Sequence, residues 1–441
     1  MRKIILALAV ALIVLSGCNL SGVGGHKALA AIASGGGHYY LQSRTTATRA
    51  ARDVSGGALY RVTDSGAIGA VTFYDTSGAA LPVTVNHAVR LDGYLLASVT
   101  YNGETVGIAA NTTTGALNAV SPIPEGWEFV RARDGKAYYI AASRLWRCEL
   151  ATGQAEAMSD PADGLDAAGW LVTLPGGGVI YTYREHLISW APQVMTARYY
   201  PSTGGAGKII DAICGYPPDS MMTGGGIVEE SDGSVSIFRI GLGGATVTPI
   251  VITEQADGTP SCIQVAPVPL NYWPWPDNLS AAQWSRVSPS WSIGEGAVFA
   301  SEYGSAKLTK ASGSWSLDYV AKPADLPSYY TCPSYCGSTT ADSGAIYHAY
   351  HEWGDMPNCD LTRYHLWRVP IASSASLARS VDLSTAGEII VDLNVSNLVA
   401  LGGKLFYQRD AGQGVQTMVY DTATGAASVY ASGAVSIQPV E

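Results

Sequence analysis

The sequence predicts an all-β chain assembled from repeated small antiparallel sheets, and three observations predict it. Turn-forming and β-favouring residues are abundant: 50 Gly, 25 Tyr and 11 Trp stand against only 14% charged residues. Almost no stretch spaces its apolar and charged residues as a helix would, Ser280–Ser288 being the best short candidate. A Gly-led hairpin pattern then recurs along most of the chain, which is the mark of a repeat architecture.

The N-terminus comes first. Arg2 and Lys3 precede an unbroken apolar run, Ile4 to Leu15. The run is too short to cross a bilayer as a mature helix but suits a secretory signal. Leu15-Ser16-Gly17-Cys18 follows and resembles the bacterial lipoprotein box. That resemblance, confined to the first eighteen residues, implies removal of residues 1–17 and lipid on the Cys18 thiol. Acyl chains there would hold the protein to a membrane surface without a transmembrane helix. Asn19 stands where Asp would retain an enterobacterial-type lipoprotein in the inner membrane, so the expected address is the outer membrane, on either face. Residues 18–38, rich in Gly, Ala and Ser, are expected to be a flexible tether.

From residue 39 to 441 a single domain is expected. Its repeat reads Gly, a short apolar–aromatic strand, a turn, a second strand ending near Trp-Arg, and a "TG" turn. Gly135–Ser159, Gly93–Ser121 and Gly403–Tyr430 are the clearest copies. Weaker ones start at Gly178, Gly226, Gly296 and Gly344, and a half copy at Ala58. Successive full copies are 42, 43, 48, 70, 48 and 59 residues apart. A period of roughly 40–50 residues with several short strands is that of a β-propeller blade. One four-stranded sheet cannot bury both faces, whereas radially stacked sheets bury each against a neighbour. The expectation is about seven blades, with six or eight open. The half copy would complete the last blade and lock the ring. The wide gaps mark inserts at about 256–292 and 325–362.

The "TTG" and "ATG" turns and the strand pattern resemble the pyrroloquinoline-quinone-like, TolB-like and BamB-like propeller repeats. The likeness covers most of residues 57–437, but the Trp that often follows "TGK" in those repeats is absent from "ATGQAEAMS" and "ATGAASVY". It therefore implies a fold and no particular role.

Charge excludes one class of partner. The net charge of −10 becomes −12 once Arg2 and Lys3 are removed with the leader, and no basic patch is visible. Nucleic acid is not expected, because phosphate contacts need clustered Lys and Arg. Six cysteines remain beyond Cys18: Cys148, Cys214, Cys262, Cys332, Cys336 and Cys359. An even number in an exported chain suggests up to three disulfides, with connectivity open. Cys332 and Cys336 could pair with each other, or one could reach Cys359 and tie the second insert. The four-residue step between them is not that of a reactive thiol pair or a haem attachment site.

The stretch "SGAIYHAYHEWGDMPNCD", Ser343–Asp360, gathers His348, His351 and Glu352. Strand alternation would put His348 and Glu352 on one face and His351 on the other, which is poor geometry for one metal. Only a loop after Tyr350 could turn His351 and Glu352 toward Asp355, Asp360 or His365. The favoured reading is a blade strand, with no metal site. "NYWPWPDN", Asn271–Asn278, cannot be a central strand because of its prolines, so Tyr272, Trp273 and Trp275 belong to an insert loop. They could stack on sugar or anchor a protein, or fold back on the rim as a satellite core. Asp160, Asp163 and Asp166 lack calcium-loop spacing, Ser202–Lys208 lacks the first Gly of a phosphate loop, and Glu229–Glu230 implies no shared catalysis. No nucleophile elbow or zinc-helix motif occurs.

The resulting expectation is a lipid-anchored envelope protein, needing no cofactor, whose propeller binds an envelope protein or a glycan and catalyses nothing. The alternative is an exported glycan-processing enzyme whose site, at the channel mouth, draws residues from several blades.

Overall fold

The computed structural model describes residues 29–44, 57–167, 169–185, 194–214, 227–229, 234–240, 246–255, 257–264, 268–269, 288–292, 296–301, 304–311, 314–321, 339–341, 345–353, 361–373, 379–381, 387–392, 396–410 and 414–440. The chain divides into two compact units: Met1–Ala168 with Ala434–Glu441, and Gly169–Gly433. Both are built from β-strands, so the expected all-β class is observed.

In the first unit, β1 (Leu29–Ile32), β5 (Phe73–Asp75) and β6 (Ala80–Leu81) form a small three-stranded sheet. Three four-stranded antiparallel sheets accompany it. The first joins β37 (Val435–Val440), β2 (His38–Arg44), β3 (Ala58–Val62) and β4 (Ile68–Ala70). The second runs β7 (Thr84–Leu91), β8 (Tyr94–Tyr101), β9 (Glu104–Asn111), β10 (Leu117–Val120). The third runs β11 (Arg131–Arg133), β12 (Lys136–Ala141), β13 (Arg144–Glu149), β14 (Ala155–Ala157).

The second unit holds five more sheets. They are β15 (Trp170–Thr173) to β18 (Lys208–Ile209); β19 (Ile227–Glu229) to β22 (Pro260–Gln264) with β23 (Val268–Pro269); β24 (Ser288–Ser292) to β27 (Ser314–Ala321); β28 (Thr339–Ala341) to β31 (Arg379–Val381) with β32 (Gly387–Asp392); and β33 (Ser396–Leu401) to β36 (Ala427–Ala431). Among the described residues, eight sheets of four or five strands thus follow the chain as antiparallel meanders, except that the first borrows β37 and that β23 and β32 pair with the third strand of their sheets.

The repeat glycines have a physical reason. Gly93 and Gly135 take φ of +80° and +74° in the tight turn between a sheet's first two strands, a region that side chains avoid. The "TG" turns end the third strand in one manner. Asn111 and Asp421 each accept two backbone N–H bonds through Oδ1, and Gly115, Gly153 and Gly425 turn back at φ between +71° and +78°.

Neighbouring sheets pack through apolar faces. In the first unit Tyr39, Leu41 and Leu59 meet Leu95, Ala97 and Ala110 of the next sheet, whose Leu96 and Ala109 meet Ala137, Tyr139 and Cys148 of the one after. In the second unit Ile180 and Tyr199 meet Val235, Ile250 and Ile252, and Tyr347 and Leu366 meet Leu405 and Tyr407. Alternate residues of one strand serve opposite neighbours, as the two-residue period of a strand requires.

The structure corrects four expectations. The tether of residues 18–38 does not reach residue 38 as a linker: Leu29 and Ile32 are buried in β1, held by pairing to β5 and by the Ile32 N–H bond to Gly115 O. The Gly226 copy is out of frame, since the strand after it is β19, the first of its sheet; the second, β20 (Val235–Ile240), starts later. Parts of the expected inserts 256–292 and 325–362 are sheet strands instead: β22, β24, β28 and β29 (Ala345–Trp353). Cys148 forms no disulfide: it is a buried thiol packed beside Ala137.

Candidate functional site

Ser343–Asp360 was the densest group of chemically able residues in the sequence, and its strand settles part of the question. β29 runs unbroken from Ala345 to Trp353, so no loop follows Tyr350 to gather His351 and Glu352. Against β30 (Leu361–Ser373), His348 pairs with Trp367, His351 with Tyr364 and Glu352 with Arg363. Alternation places His348 and Glu352 on one face and His351 on the other. Asp355, Cys359 and Asp360 lie outside the described residues.

A second comparison explains His348. In the third sheet, Tyr138 pairs with Arg147 and Tyr139 with Trp146; in the sheet of β29, Tyr347 pairs with Arg368 and His348 with Trp367. The two hairpins are superimposable in register, so His348 occupies the place of Tyr139. Tyr139 is fully buried and its hydroxyl donates to Pro122 O at 3.1 Å, with burial pushing its pKa up. Tyr40 and Tyr407, also buried, stand at matching positions of their own sheets. His348 is therefore a repeat position. The Tyr–Arg pair itself recurs as Tyr39–Arg61, with the Arg61 guanidinium donating to Ser34 O at 3.0 Å.

The best-tied polar cluster among the described residues lies in the second unit. Tyr199 in β17 (Val194–Tyr200) reaches the Glu254 carboxylate at 2.8 Å and Gly258 O at 2.7 Å, while Gly178 N–H donates to the same carboxylate at 3.3 Å. Glu254 ends β21 (Thr246–Glu254), so the contact links neighbouring sheets. Burial, then the Glu254 hydrogen bond and charge, raise the Tyr199 pKa. A Cβ on Gly178 would lie 2.7 Å from both Glu254 Oε1 and Tyr199 Cε2, so a larger residue there would displace this cluster. A Cys214–Cys262 disulfide ties the segment after β18 to β22 of the next sheet, with Cα atoms 5.3 Å apart and a sequence separation of 48. By the chain-entropy account such a bond stabilises by roughly 4 kcal/mol. Both ties join elements of the second unit, and the raised pKa keeps the Tyr199 hydroxyl protonated near neutral pH.

In the first unit, the exposed His87 of β7 stacks on Trp127 with ring centroids 5.7 Å apart. Partial burial lowers the His87 pKa. Beside it Asn86 donates to Thr100 Oγ1 at 2.9 Å, and Thr100 shares a 2.8 Å bond with Thr105. Asp160 caps the 3₁₀ turn Pro161–Asp163 by accepting from Ala162 N–H, a structural job for that acidic turn. Among the described residues, no group of three or more His, Cys, Asp or Glu is arranged to hold a metal ion.

Of the other residues singled out, Cys18, Tyr272, Trp273, Trp275, Cys332 and Cys336 lie outside the described residues. Sequence reasoning missed Tyr199–Glu254 and His87–Trp127. Nothing in linear spacing signals either, because each joins residues from separate elements.

No family model matches the chain, and no curated protein does. Solved structures similar to it include Citrobacter koseri AztD, at 12% identity and TM-score 0.42, covering 93% of this chain and 96% of that one. Porphyromonas gingivalis dipeptidyl peptidase 4 matches at 7% identity and TM-score 0.43, covering 85% of this chain and 58% of that one. Oligogalacturonate lyase from Vibrio parahaemolyticus matches at 11% identity and TM-score 0.30, covering 82% and 84%. Likenesses this distant assign no function.

Proposed function

We propose that the chain is a lipid-anchored protein of the bacterial envelope whose eight sheets are the blades of one β-propeller, and that it binds an envelope protein or a glycan rather than catalysing a reaction. The observation that carries this reading is the pairing of β37 with β2: the first sheet takes one strand from the far end of the chain, as a closing ring would. Meanders in chain order, packed face against face within each unit, support the same architecture. The lipoprotein reading rests on Leu15–Cys18, and the outer-membrane address on Asn19. Loops on a rigid scaffold commonly carry recognition, and Tyr272, Trp273 and Trp275 are the residues best suited to it.

Two measurements test the proposal. Mass spectrometry of the mature protein should find acyl groups on Cys18, and an unmodified Cys18 would remove the anchor. Capture from detergent-solubilised envelope should retain specific companions or glycan with the native protein and lose them with Trp273→Ala/Trp275→Ala. Identical recovery with both would show that this loop is not the docking site.

A further inference from the structure

The disulfide lies where an opening would have local consequences. Between β18 and β19 the chain forms a short helix, Ile210–Ile213, and Cys214 follows with its N–H bonded to Ile210 O at 2.8 Å. Ile210 is buried in a cluster with Tyr199, Val235, Ile250 and Ile252. Cys262, across from Ile252, stands on β22, so the bond pins the helix onto the neighbouring sheet and over that cluster.

Three features set this bond apart from a buried staple. Cys214 and Cys262 are both only half-buried. Ile209 and Ile263, next to the helix and to Cys262, are 49% and 56% exposed, so the surroundings are open to a reagent. The helix has one turn, too short to persist without its anchors. Exposed disulfides that hold a weakly structured segment are the labile ones. By contrast, Cys148 is buried and its pKa is pushed up to about 11, chiefly by burial, so it stays an unreactive thiol.

We infer that Ile210–Cys214 is a redox-sensitive strap: a dithiol reductant opens Cys214–Cys262 in the folded protein, and the strap then lifts from the apolar cluster beneath it. A reductant thiolate attacks one cysteine sulfur and the S–S bond breaks. The other cysteine leaves as a thiolate and takes a proton from water. The reductant's second thiol resolves the mixed disulfide, leaving two cysteine thiols and a cyclic disulfide on the reductant. This inference is independent of the proposed ligand binding and anchoring.

The test treats the full chain with dithiothreitol at neutral pH without denaturant, alkylates it, and maps the modified cysteines by mass spectrometry. Hydrogen exchange of the 208–214 peptide is followed in parallel. Cys214 and Cys262 should be alkylated while Cys148 is not, the peptide should lose its protection, and reoxidation should restore it. The idea fails if Cys214 and Cys262 resist until denaturant also exposes Cys148, or if they react while the peptide stays protected. Cys214→Ser/Cys262→Ser controls for the remaining cysteines. It should show the loss without reductant and no further change with it; full protection in that variant overturns the inference.

Discussion

Tyr40 in β2 lies directly opposite Pro439 in β37, with Leu41 opposite Gln438 and Tyr39 opposite Val440. The C-terminal strand therefore finishes the N-terminal sheet, and Val440 is buried in the same cluster as Tyr39 and Leu41. Deleting residues 435–441 removes a full ladder of hydrogen bonds and one wall of that cluster. The expected loss is on the order of 3–5 kcal/mol. Urea unfolding would measure it, and an unchanged midpoint would refute the structural role given to β37.

Two glycines with the same role in the repeat should respond differently. Gly153 and Gly425 both turn back with positive φ, 75° and 71°. A Cβ on Gly153 would lie 2.0 Å from Ala119 O, whereas on Gly425 the nearest atom is 3.7 Å away. Gly425→Ala should cost about 1 kcal/mol from the backbone alone. Gly153→Ala must also displace a backbone carbonyl and should cost at least about 2 kcal/mol more. Paired thermal denaturation of the two variants checks the order.

Tyr199→Phe removes the hydroxyl shared with Glu254 and Gly258 O and leaves their oxygens short of a donor. The expected loss is about 1–2 kcal/mol. Glu254→Gln keeps a hydrogen-bond acceptor and should cost less. A larger loss for Glu254→Gln would show that charge, not the hydroxyl, holds the two sheets together.

Stability should fall on the alkaline side. Burial raises the pKa values of Cys148, Tyr139 and Tyr199 above their ordinary values. The unfolded chain then loses these protons first as pH rises, so their contribution is present below their ordinary values and lost through the raised ones. For Cys148 the window runs from pH 9.0 to about 11. Chemical denaturation across that range should show a smaller decline in Cys148→Ala than in the native chain.

His348→Tyr should be tolerated, because Tyr139, Tyr40 and Tyr407 fill the matching positions of other sheets. Native-like circular dichroism and an unfolding midpoint within the error of the parent would agree. Loss of folding would show that His348 has a task its register does not reveal.

These contrasts show what was readable in advance. Gly135, Tyr138 and Arg147 announced their hairpin because turn glycine, strand period and cross-strand pairing are local in sequence. The frame slipped at Gly226 because glycines cluster there, and composition alone cannot say which one turns. Leu29–Ile32 reads as linker because its glycine-rich flanks mask two buried side chains, on a strand whose partners are Phe73 and Gly115. Cys148 reads as a disulfide candidate because parity of the cysteine count ignores burial. Tyr199–Glu254 and His87–Trp127 were invisible because each depends on how separate elements pack. His348, conversely, looked chemically promising only until its register matched that of Tyr139.

The borrowed strand also fixes an order of events. While the nascent chain lengthens, β2 keeps a vacant edge of unpaired amides and carbonyls, and that edge is the kind that captures stray strands from other molecules. The vacancy ends only when Val435–Val440 are made, far along the chain from the strand they complete, so its filling should be a slow event. Premature termination anywhere before Val435 would leave the N-terminal unit permanently unfinished, however well the intervening sheets had formed.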